Sequence, residues 1–314
     1  MDLCLMIEGQ EGVTWPQWLA LAQACETHGL SALFRSDHQL NLEGRAERGS
    51  LDAWATIAAL AAHTSTLRLG TLVSPVTFRH PSDVAKVVVV ADHVSGGRVE
   101  LGLGAGWHDR EHAAYGFPFP PLKTRMDMLA EQLEIVHGHW REGAFSFAGE
   151  HYRLDDLDAQ PKPVQRPHPP LLMGGKAGPR GAALAARWAD EYNTPFATLE
   201  ELLPMKDSVT AACEAAGREP IPFSLMTGVL IGRDRAELRE RARLLAEYRR
   251  DLSDPDAFLA STQSAWITGT VDEVAEQLGA LRDAGVARVM CQQLLHEDLD
   301  HVALIGELAP LLGP

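Results

Sequence analysis

Residues 67–106 read LRLGTLVSPVTFRHPSDVAKVVVVADHVSGGRVELGLGAG and combine three patterns. An apolar run predicts a strand over residues 67–73. Pro81 then opens a helix predicted to run to residue 94, since proline suits the first helical position. A second apolar run predicts a strand over residues 99–103. Strands that are apolar on both faces and joined through a helix are typical of a parallel sheet with both faces covered. The stretch is therefore predicted to be one strand–helix–strand unit.

The same alternation runs along the whole chain of 314 residues. Further apolar runs predict strands over residues 3–7, 32–34, 171–173, 189–192, 223–231 and 287–292. Amphipathic runs predict helices over residues 15–27, 51–63, 122–140, 181–187, 199–216, 235–249, 271–284 and 299–311. Eight strands alternating with about eight helices predict the α/β class and a (β/α)8 TIM barrel with inserted segments.

One barrel domain is predicted to cover residues 1–314, with two excursions from the repeat. Residues 145–170 are rich in Asp, Pro and Gln and include a short hairpin, and residues 251–264 form the second excursion. A doubly wound open sheet is the alternative fold. No G-x-G-x-x-G motif follows the first strand, so a Rossmann nucleotide site is not supported.

The composition excludes several functional classes. The chain carries 28 basic and 43 acidic residues, and a net charge of −15 argues against binding to nucleic acid or to an anionic membrane. Its four cysteines form no C-x-x-C pair, so neither a redox couple nor a zinc site is indicated. The amino terminus lacks the basic segment of a signal peptide, and no apolar run approaches the roughly 20 residues that span a bilayer. We expect a cytoplasmic protein that binds a small-molecule substrate.

The most reactive pair of side chains follows the second predicted strand. In a parallel barrel the active site lies at the carboxyl ends of the strands. Asp37 and His38 stand at such an end, and a histidine can give or take a proton near neutral pH. A polar residue that caps a loop is the alternative interpretation of this histidine.

The turn after the fifth predicted strand indicates an anion site. Residues 173–180 read MGGKAGPR and lead into a helix. Glycines such as Gly174 and Gly175 let backbone N–H groups approach an anion, and a helix amino terminus favours negative charge. Lys176 and Arg180 would add to the attraction. The alternative is a tight turn whose basic residues are solvated.

The end of the fourth predicted strand carries a glycine series and two histidines. Gly102, Gly104 and Gly106 suggest that a flat ligand approaches the barrel mouth here. His108 and His112 lie four residues apart, on one helical face, with Glu111 between them. The pattern is not H-E-x-x-H and no third ligand is evident, so no metal is expected and Glu111 is interpreted as structural.

Several motifs together resemble the bacterial luciferase-like superfamily of flavin and deazaflavin monooxygenases and reductases, and the resemblance covers essentially the whole chain. Its most specific part is residues 79–107. The motifs are Ser36-Asp37-His38, Gly70 to Pro81, Ala85-Lys86, Asp92-His93-Val94-Ser95-Gly96-Gly97-Arg98, Gly102-Leu103-Gly104-Ala105-Gly106-Trp107, Glu111 with Tyr115-Gly116, Pro161-Lys162-Pro163, Pro169 to Gly175 and Ala185 to Asn193.

The resemblance implies a barrel that binds a flat tricyclic cofactor at its mouth. Ser36-Asp37-His38 and Arg79-His80-Pro81 look closest to the branch that uses coenzyme F420, a deazaflavin. Members of that branch have a bulge with a non-proline cis peptide that supports the ring, which falls here at Leu72-Val73-Ser74. The implied activity is hydride transfer between the deazaflavin and a small organic substrate.

The resemblance also implies roles for individual residues. His38 would serve the proton step, and Asp37 would hydrogen-bond the ring. Val73 would back the ring within the bulge, while Trp107 and Arg110 would contact the cofactor. Gly174, Gly175 and Lys176, in the turn described above, would hold its phosphate.

Two further functions stay open. An FMN-dependent luciferase-like monooxygenase would place the FMN phosphate in the same turn, and a non-catalytic flavin-binding barrel would use none of the reactive groups. A homodimer is expected, because relatives pair through the helices over residues 51–63 and 81–94. The residues proposed to face the partner are Trp54, Ile57, Val84, Val87 and Val88.

Overall fold

The structure is a computed structural model that describes residues 1–42, 44–45, 47–251, 254–262 and 265–313. The described residues form twelve strands: β1 (Asp2–Ile7), β2 (Ala32–Arg35), β3 (Arg68–Thr71), β4 (Ser74–Pro75), β5 (Val99–Gly104), β6 (Phe145–Ala148), β7 (Arg153–Leu157), β8 (Leu171–Gly174), β9 (Glu191–Pro195), β10 (Phe223–Gly232), β11 (Ile267–Thr270) and β12 (Arg288–Gln293). They also form eleven α-helices: α1 (Trp15–Thr27), α2 (Ala53–His63), α3 (Pro81–Ser95), α4 (Asp109–Tyr115), α5 (Leu122–Trp140), α6 (Pro179–Trp188), α7 (Leu199–Ala215), α8 (Arg235–Arg249), α9 (Pro255–Thr262), α10 (Val271–Asp283) and α11 (Leu299–Leu308).

Eight strands close into a parallel barrel. Their order is β1, β2, β3, β5, β8, β9, β10, β12 and back to β1, and every neighbouring pair is parallel. Helices alternate with these strands along the chain. The predicted (β/α)8 barrel is thus confirmed, and the open doubly wound sheet is excluded because β9 pairs with β10 and completes the circle.

The sequence located the long helices well and the strand ends less well. Helices α1, α5 and α8 have the predicted bounds. The strand predicted over residues 67–73 ends at Thr71, a cis peptide bond joins Leu72 to Val73, and β4 then pairs with β5. Helix α4 was not predicted, because seven residues are too few to show a helical period.

The two predicted excursions differ in content. Within residues 145–170, strands β6 and β7 form an antiparallel hairpin. Within residues 251–264, helix α9 occupies Pro255–Thr262, and residues 252, 253, 263 and 264 of this excursion lie outside the described residues.

The interior of the barrel is apolar in its middle and charged at its amino-terminal end. The apolar layer comprises Cys4, Met6, Ala32, Phe34, Leu72, Leu172, Met226 and Met290. Below it, Arg288 pairs with Glu100 at 2.8 Å and with Glu191 at 2.7 Å. This ion network lies at the end of the barrel opposite to the strand ends that carry His38.

The residues proposed to face a second subunit are mostly unavailable to it. Trp54, Ile57, Val84 and Val88 are buried within the chain, because α2 and α3 pack on each other and on the barrel. The surface of α3 instead exposes Val90 by 54% and Val94 by 47%. The prediction that these four residues face a second subunit was therefore wrong. The dimer itself stays a prediction.

All four cysteines are buried and unpaired, and burial raises the pKa of the Cys4 thiol to about 12. Among the described helices, none has the length and the apolar character needed to cross a membrane.

Candidate active site

His38 and Glu111 form a buried pair at the mouth of the barrel. His38 follows β2, and Glu111 lies in the first turn of α4, which follows β5. Nδ1 of His38 is 2.9 Å from Oε2 of Glu111. Oε1 of Glu111 accepts hydrogen bonds from the backbone N–H groups of Gln39 and of Leu40, the latter at 2.8 Å. Because a carboxylate only accepts, Nδ1 carries the proton in this pair and Nε2 is left for other partners.

The pair is electrostatically matched. Burial by itself would lower the pKa of His38, but the hydrogen bond and charge of Glu111 outweigh it and raise the pKa above its ordinary value. Burial raises the pKa of Glu111, yet the bond from His38 and the two amides lower it overall. The pair therefore favours an imidazolium beside a carboxylate. Among the described residues, Nε2 of His38 has no hydrogen-bond partner.

Two aromatic rings flank His38. Trp107 meets it edge to face at a centroid distance of 5.5 Å and stacks on His108 at 5.1 Å. Trp107 is 63% exposed, which is high for an indole and leaves one of its faces open at the mouth. His108 is buried, its Nδ1 has no hydrogen-bond partner within the described residues, and burial lowers its pKa.

The structure corrects the earlier view of metal ligands. His112 does not pair with His108 as a ligand, since its ring bonds Thr77 and the His108 carbonyl. Instead His38, His108 and Glu111 each offer one ligand atom within 4.8 Å of the others. Glu111 is already satisfied by an imidazole and two amides, so the cluster needs no ion to balance its charge. The expectation of no metal stays a prediction.

Asp37 is buried and fully engaged with neighbouring side chains. Both of its carboxylate oxygens accept from Arg79, and Oδ2 also accepts from the Ser74 hydroxyl at 2.6 Å. Ser74 in turn accepts from the Trp54 indole at 3.0 Å. Asp37 and Ser74 are both buried. Their hydrogen bond connects the end of β2 to the segment after β3. Their contact with a cofactor stays a prediction.

Val73 fills the space that the glycine series leaves. A Cβ at Gly104 would lie 2.6 Å from a Val73 methyl, and one at Gly174 would lie 3.1 Å from the other. A Cβ at Gly102 would collide with the Thr71 carbonyl oxygen. The expectation that Gly102 and Gly104 admit a flat ligand directly was therefore wrong. They admit the residues after β3, so that Val73 caps the barrel interior.

The turn after β8 is only partly free to bind an anion. The Gly175 N–H donates to the Asn193 carbonyl at 3.0 Å, and the Ala177 N–H donates to the Tyr192 hydroxyl at 2.9 Å. Lys176 reaches the Pro195 carbonyl. Helix α6 begins at Pro179 after Gly178, and no side chain caps its first turn. An anion would thus meet the start of α6 rather than the N–H of Gly175.

Arg110 holds a loop. One of its Nη atoms donates to the Asn41 carbonyl at 2.6 Å and lies 3.5 Å from that of Leu42. These contacts tie α4 to the segment after β2 and so help to hold Glu111 beside His38. Binding of a cofactor by Arg110 stays a prediction.

Glu111 is the residue that sequence reasoning undervalued. It lies 73 residues from its partner, and no local spacing joins the two. Two signals were available: Glu111 stands among the motifs of the resemblance, and it follows β5 in the same ring of strand ends from which His38 was selected.

A family profile described as luciferase-like monooxygenase matches residues 5–288. The chain belongs to this family. It is 30% identical over 224 residues to an F420-dependent hydroxymycolic acid dehydrogenase of Mycobacterium tuberculosis, which covers 70% of this chain and 61% of that protein. It is 32% identical over 203 residues to an FMNH(2)-dependent dimethylsulfone monooxygenase of Pseudomonas putida, covering 63% of this chain and 53% of the other.

Solved structures share the fold across the chain. An F420-dependent secondary alcohol dehydrogenase, in complex with an F420–acetone adduct, superposes with a TM-score of 0.84 at 20% identity. The match covers 100% of this chain and 99% of that one. The chain is thus a luciferase-like oxidoreductase, with similarity both to F420-dependent and to FMN-dependent proteins.

Proposed function

We propose that this luciferase-like protein is a coenzyme F420-dependent oxidoreductase, which transfers a hydride between the deazaflavin and a small organic substrate. The observation that carries the proposal is the His38–Glu111 pair, with Nδ1 of the imidazole bonded to a buried carboxylate and Nε2 without a partner among the described residues. Hydride transfer to or from a carbon–oxygen bond needs a proton acceptor or donor beside it, and this pair provides one. Similarity to F420-dependent dehydrogenases gives the proposal further support.

The residues at the mouth fit a cofactor with a flat ring and a phosphate. Trp107 has an open indole face beside His38, and Val73 offers two methyl groups above the apolar interior. At the start of α6, Gly178 caps the helix without a side-chain bond, and a Cβ placed on it would meet nothing within 4 Å. Trp107 and Val73 would contact the ring, and the first turn of α6, with Lys176 and Arg180 nearby, would bind the phosphate.

The chain's own chemistry in this proposal is one proton transfer. Coenzyme F420, when bound, would supply or accept the hydride. Glu111 holds the imidazole of His38 by Nδ1, so that the same ring orientation persists whether Nε2 is protonated or not. Glu111 raises the pKa of His38 above its ordinary value, which favours uptake of a proton by the imidazole, and the same ring can return that proton in the reverse direction.

The alternative is an FMN-dependent monooxygenase. The similarity to the dimethylsulfone monooxygenase favours it, and the uncapped start of α6 would suit the FMN phosphate as well as that of coenzyme F420. Titration of the cofactor-free chain with coenzyme F420 and with FMN, followed by fluorescence anisotropy, separates the two. We expect coenzyme F420 to bind at least about tenfold more tightly, a difference of about 1.4 kcal/mol. Tighter binding of FMN with oxygen consumption would favour the monooxygenase, and binding of neither would favour a non-catalytic barrel.

A further inference from the structure

A cavity of about 260 Å³ opens at the carboxyl-terminal end of the barrel, beside β1 and β12. It lies against Glu8 and Gln292, which stand at the ends of those two strands, and extends to Phe196 and Trp266. At roughly 30 Å³ per water molecule, it has room for about eight or nine waters, or for a small organic ligand. The residues assigned above to the ring and the phosphate do not line it.

The outer walls of the cavity are apolar and aromatic. Trp266 packs over β10 at Gly228, where a Cβ would collide with the indole ring. Phe196 follows β9 and is partly exposed, and Leu42 covers the side nearest the segment after β2. Tyr248 donates its hydroxyl to the Glu11 carbonyl at 2.9 Å, which fixes its ring in the wall. Such walls favour a ligand with an aromatic or alicyclic body.

The inner end of the cavity is a buried carboxylate. Oε2 of Glu8 accepts from the Gln10 amide at 2.9 Å, and Oε1 accepts from the Gln292 amide at 2.7 Å. Glu8 forms no ion pair with any described Lys or Arg. Within the described part of the chain each of its oxygens accepts one bond and so keeps a second lone pair, and a ligand group that meets Glu8 must be a hydrogen-bond donor.

The other charged groups of the wall are Glu11, Arg48 and Arg249. Glu11 pairs with Arg48 at 2.7 Å, and Arg48 also donates to the Tyr248 carbonyl at 2.7 Å. Arg249 brings a second guanidinium to the wall. Among the described residues of the lining, the two carboxylates and two guanidiniums sum to no net charge, which favours a neutral ligand over an anion or a cation.

The cavity also adjoins the His38 pair. In the barrel Ile7 lies opposite Arg35, so the segments after β1 and β2 run side by side. The Gly9 N–H donates to the Ser36 hydroxyl at 3.0 Å, and that hydroxyl donates to Gln10 at 2.5 Å. Glu8 and His38 therefore stand at neighbouring strand ends, and a molecule bonded to Glu8 would lie on the His38 side of the mouth.

We propose that this cavity is the substrate pocket, and that it takes a neutral hydroxyl-bearing molecule with a small aromatic or alicyclic body, its hydroxyl donating to Glu8. The role of the bound molecule as a substrate rests on the proposed function. Its binding in the cavity does not depend on any cofactor. The mouth of the barrel would then have two parts. The ring and phosphate of the cofactor would lie on the side of β5 and β8, and the substrate on the side of β1 and β12.

The test is a ligand-observed NMR titration of the cofactor-free full chain with benzyl alcohol and with ethylbenzene, which has a methyl group in place of the hydroxyl. We expect benzyl alcohol to bind about tenfold more tightly than ethylbenzene, because only the alcohol donates to the Glu8 carboxylate. Equal affinity for the two probes would overturn the role of Glu8.

A cavity-filling variant tests the location independently. Leu42→Trp should weaken both probes by at least about tenfold, because the indole occupies their volume. Leu311→Trp is the matched control, since Leu311 is 61% exposed and outside the cavity, and it should change neither affinity. Circular dichroism checks that both variants are folded, and a folded Leu42→Trp that binds benzyl alcohol normally would refute the pocket.

Glu8→Gln tests the role of the carboxylate as the acceptor. It removes the charge of the acceptor, so the preference for benzyl alcohol over ethylbenzene should fall while ethylbenzene binding is retained. Coenzyme F420 is titrated in parallel. Binding of benzyl alcohol without binding of coenzyme F420 would support the pocket and contradict the proposed function, whereas the reverse would contradict the pocket alone.

Discussion

Glu111 approaches His38 to 2.9 Å across the mouth of the barrel, although 73 residues separate them along the chain. The contact joins the segment after β2 to helix α4, and the Gln39 and Leu40 amides, which follow His38 directly, bind the other oxygen of the same carboxylate. Glu111 thus fixes both the backbone and the imidazole of the residue assigned to the proton step. A positioning residue of this kind changes the pH at which its partner titrates.

Glu111→Gln should therefore move the titration of His38 to lower pH. Burial lowers the pKa of His38 and the charge of Glu111 raises it, so the pKa falls when that charge is removed. If His38 acts as the base in substrate oxidation, the acidic limb of the pH–rate profile moves to lower pH as well. NMR titration of the His38 ring checks the cause. Asp109→Asn, on the exposed face of the same helix, is the control and should leave both titrations in place.

The same variant makes a prediction about stability. The raised pKa of His38 stabilises the fold fully below its ordinary value of 6.5, and this contribution is lost as the pH rises through the raised value. The lowered pKa of Glu111 stabilises it fully above 4.5, and that contribution is lost as the pH falls through the lowered value. The destabilisation by Glu111→Gln should thus be greatest between these two pH values. Urea unfolding across the pH range measures it, and a pH-independent loss would contradict an ionic pair.

His38→Asn separates the proton step from packing. The amide of Asn can still donate to Glu111 but cannot take up a proton, so turnover should fall by about 10²–10⁴-fold, the usual contribution of general acid–base catalysis. Affinity for the cofactor should stay within about tenfold, or 1.4 kcal/mol. His38→Ala should show the same loss of turnover with lower stability, since it leaves the buried Glu111 carboxylate without its counter-charge. Near-normal turnover of the saturated Asn variant would remove His38 from the mechanism.

Removal of metal ions should have no effect. Although His38, His108 and Glu111 could bind an ion, the carboxylate is already neutralised by His38 and bonded by two amides. Dialysis against EDTA should leave turnover and the melting temperature unchanged, and elemental analysis should find no bound zinc or iron. Loss of activity that Zn²⁺ restores would assign the cluster to a metal instead.

The homodimer prediction now rests on a different surface of α3. Val90 and Val94 lie one helical turn apart and are both about half exposed, whereas most of the residues first proposed are buried. If two copies pair through this face, light scattering should give the mass of a dimer at micromolar concentration. Val90→Asp should shift that mass to the monomer because it introduces a charge into an apolar contact. A monomeric mass for the unchanged chain would contradict the prediction.

The fold could be predicted from the sequence because each strand–helix unit carries its own pattern. The apolar runs at β1, β5 and β10 are continuous since both faces of a barrel strand are covered, and the amphipathic period fixes helices such as α5. Neither pattern depends on distant parts of the chain.

The site was harder to predict because its contacts join distant segments. The sequence selected His38 by its strand end, but nothing in it indicated that Asp37 pairs with Arg79, which lies beyond β4. The glycines of β5 suggested an open approach, yet the space beside them is taken by Val73, which follows β3. In each case the residue type was informative, and its partner was set by the closure of the barrel.

The start of α6 offers the sharpest test of where the cofactor phosphate binds. Gly178 has φ −62° and ψ 161°, which any residue can adopt, and a Cβ there meets nothing within 4 Å. Either Asp or Asn should therefore fit, cap the helix and stabilise the fold by a few tenths of a kcal/mol. The two side chains have the same shape and differ in charge.

Gly178→Asp should weaken cofactor binding far more than Gly178→Asn. A carboxylate about 5 Å from a phosphate charge costs about 3 kcal/mol at an effective dielectric constant near 20, or roughly a hundredfold in affinity. Asn competes for the same N–H groups without that repulsion, so its loss should be much smaller. Fluorescence titration with coenzyme F420 measures both variants, and thermal unfolding confirms that neither is destabilised. Because Asp should raise stability slightly while it lowers affinity, damage to the fold cannot mimic the expected result. Equal affinity of the Asp and Asn variants would show that the phosphate binds elsewhere on the mouth.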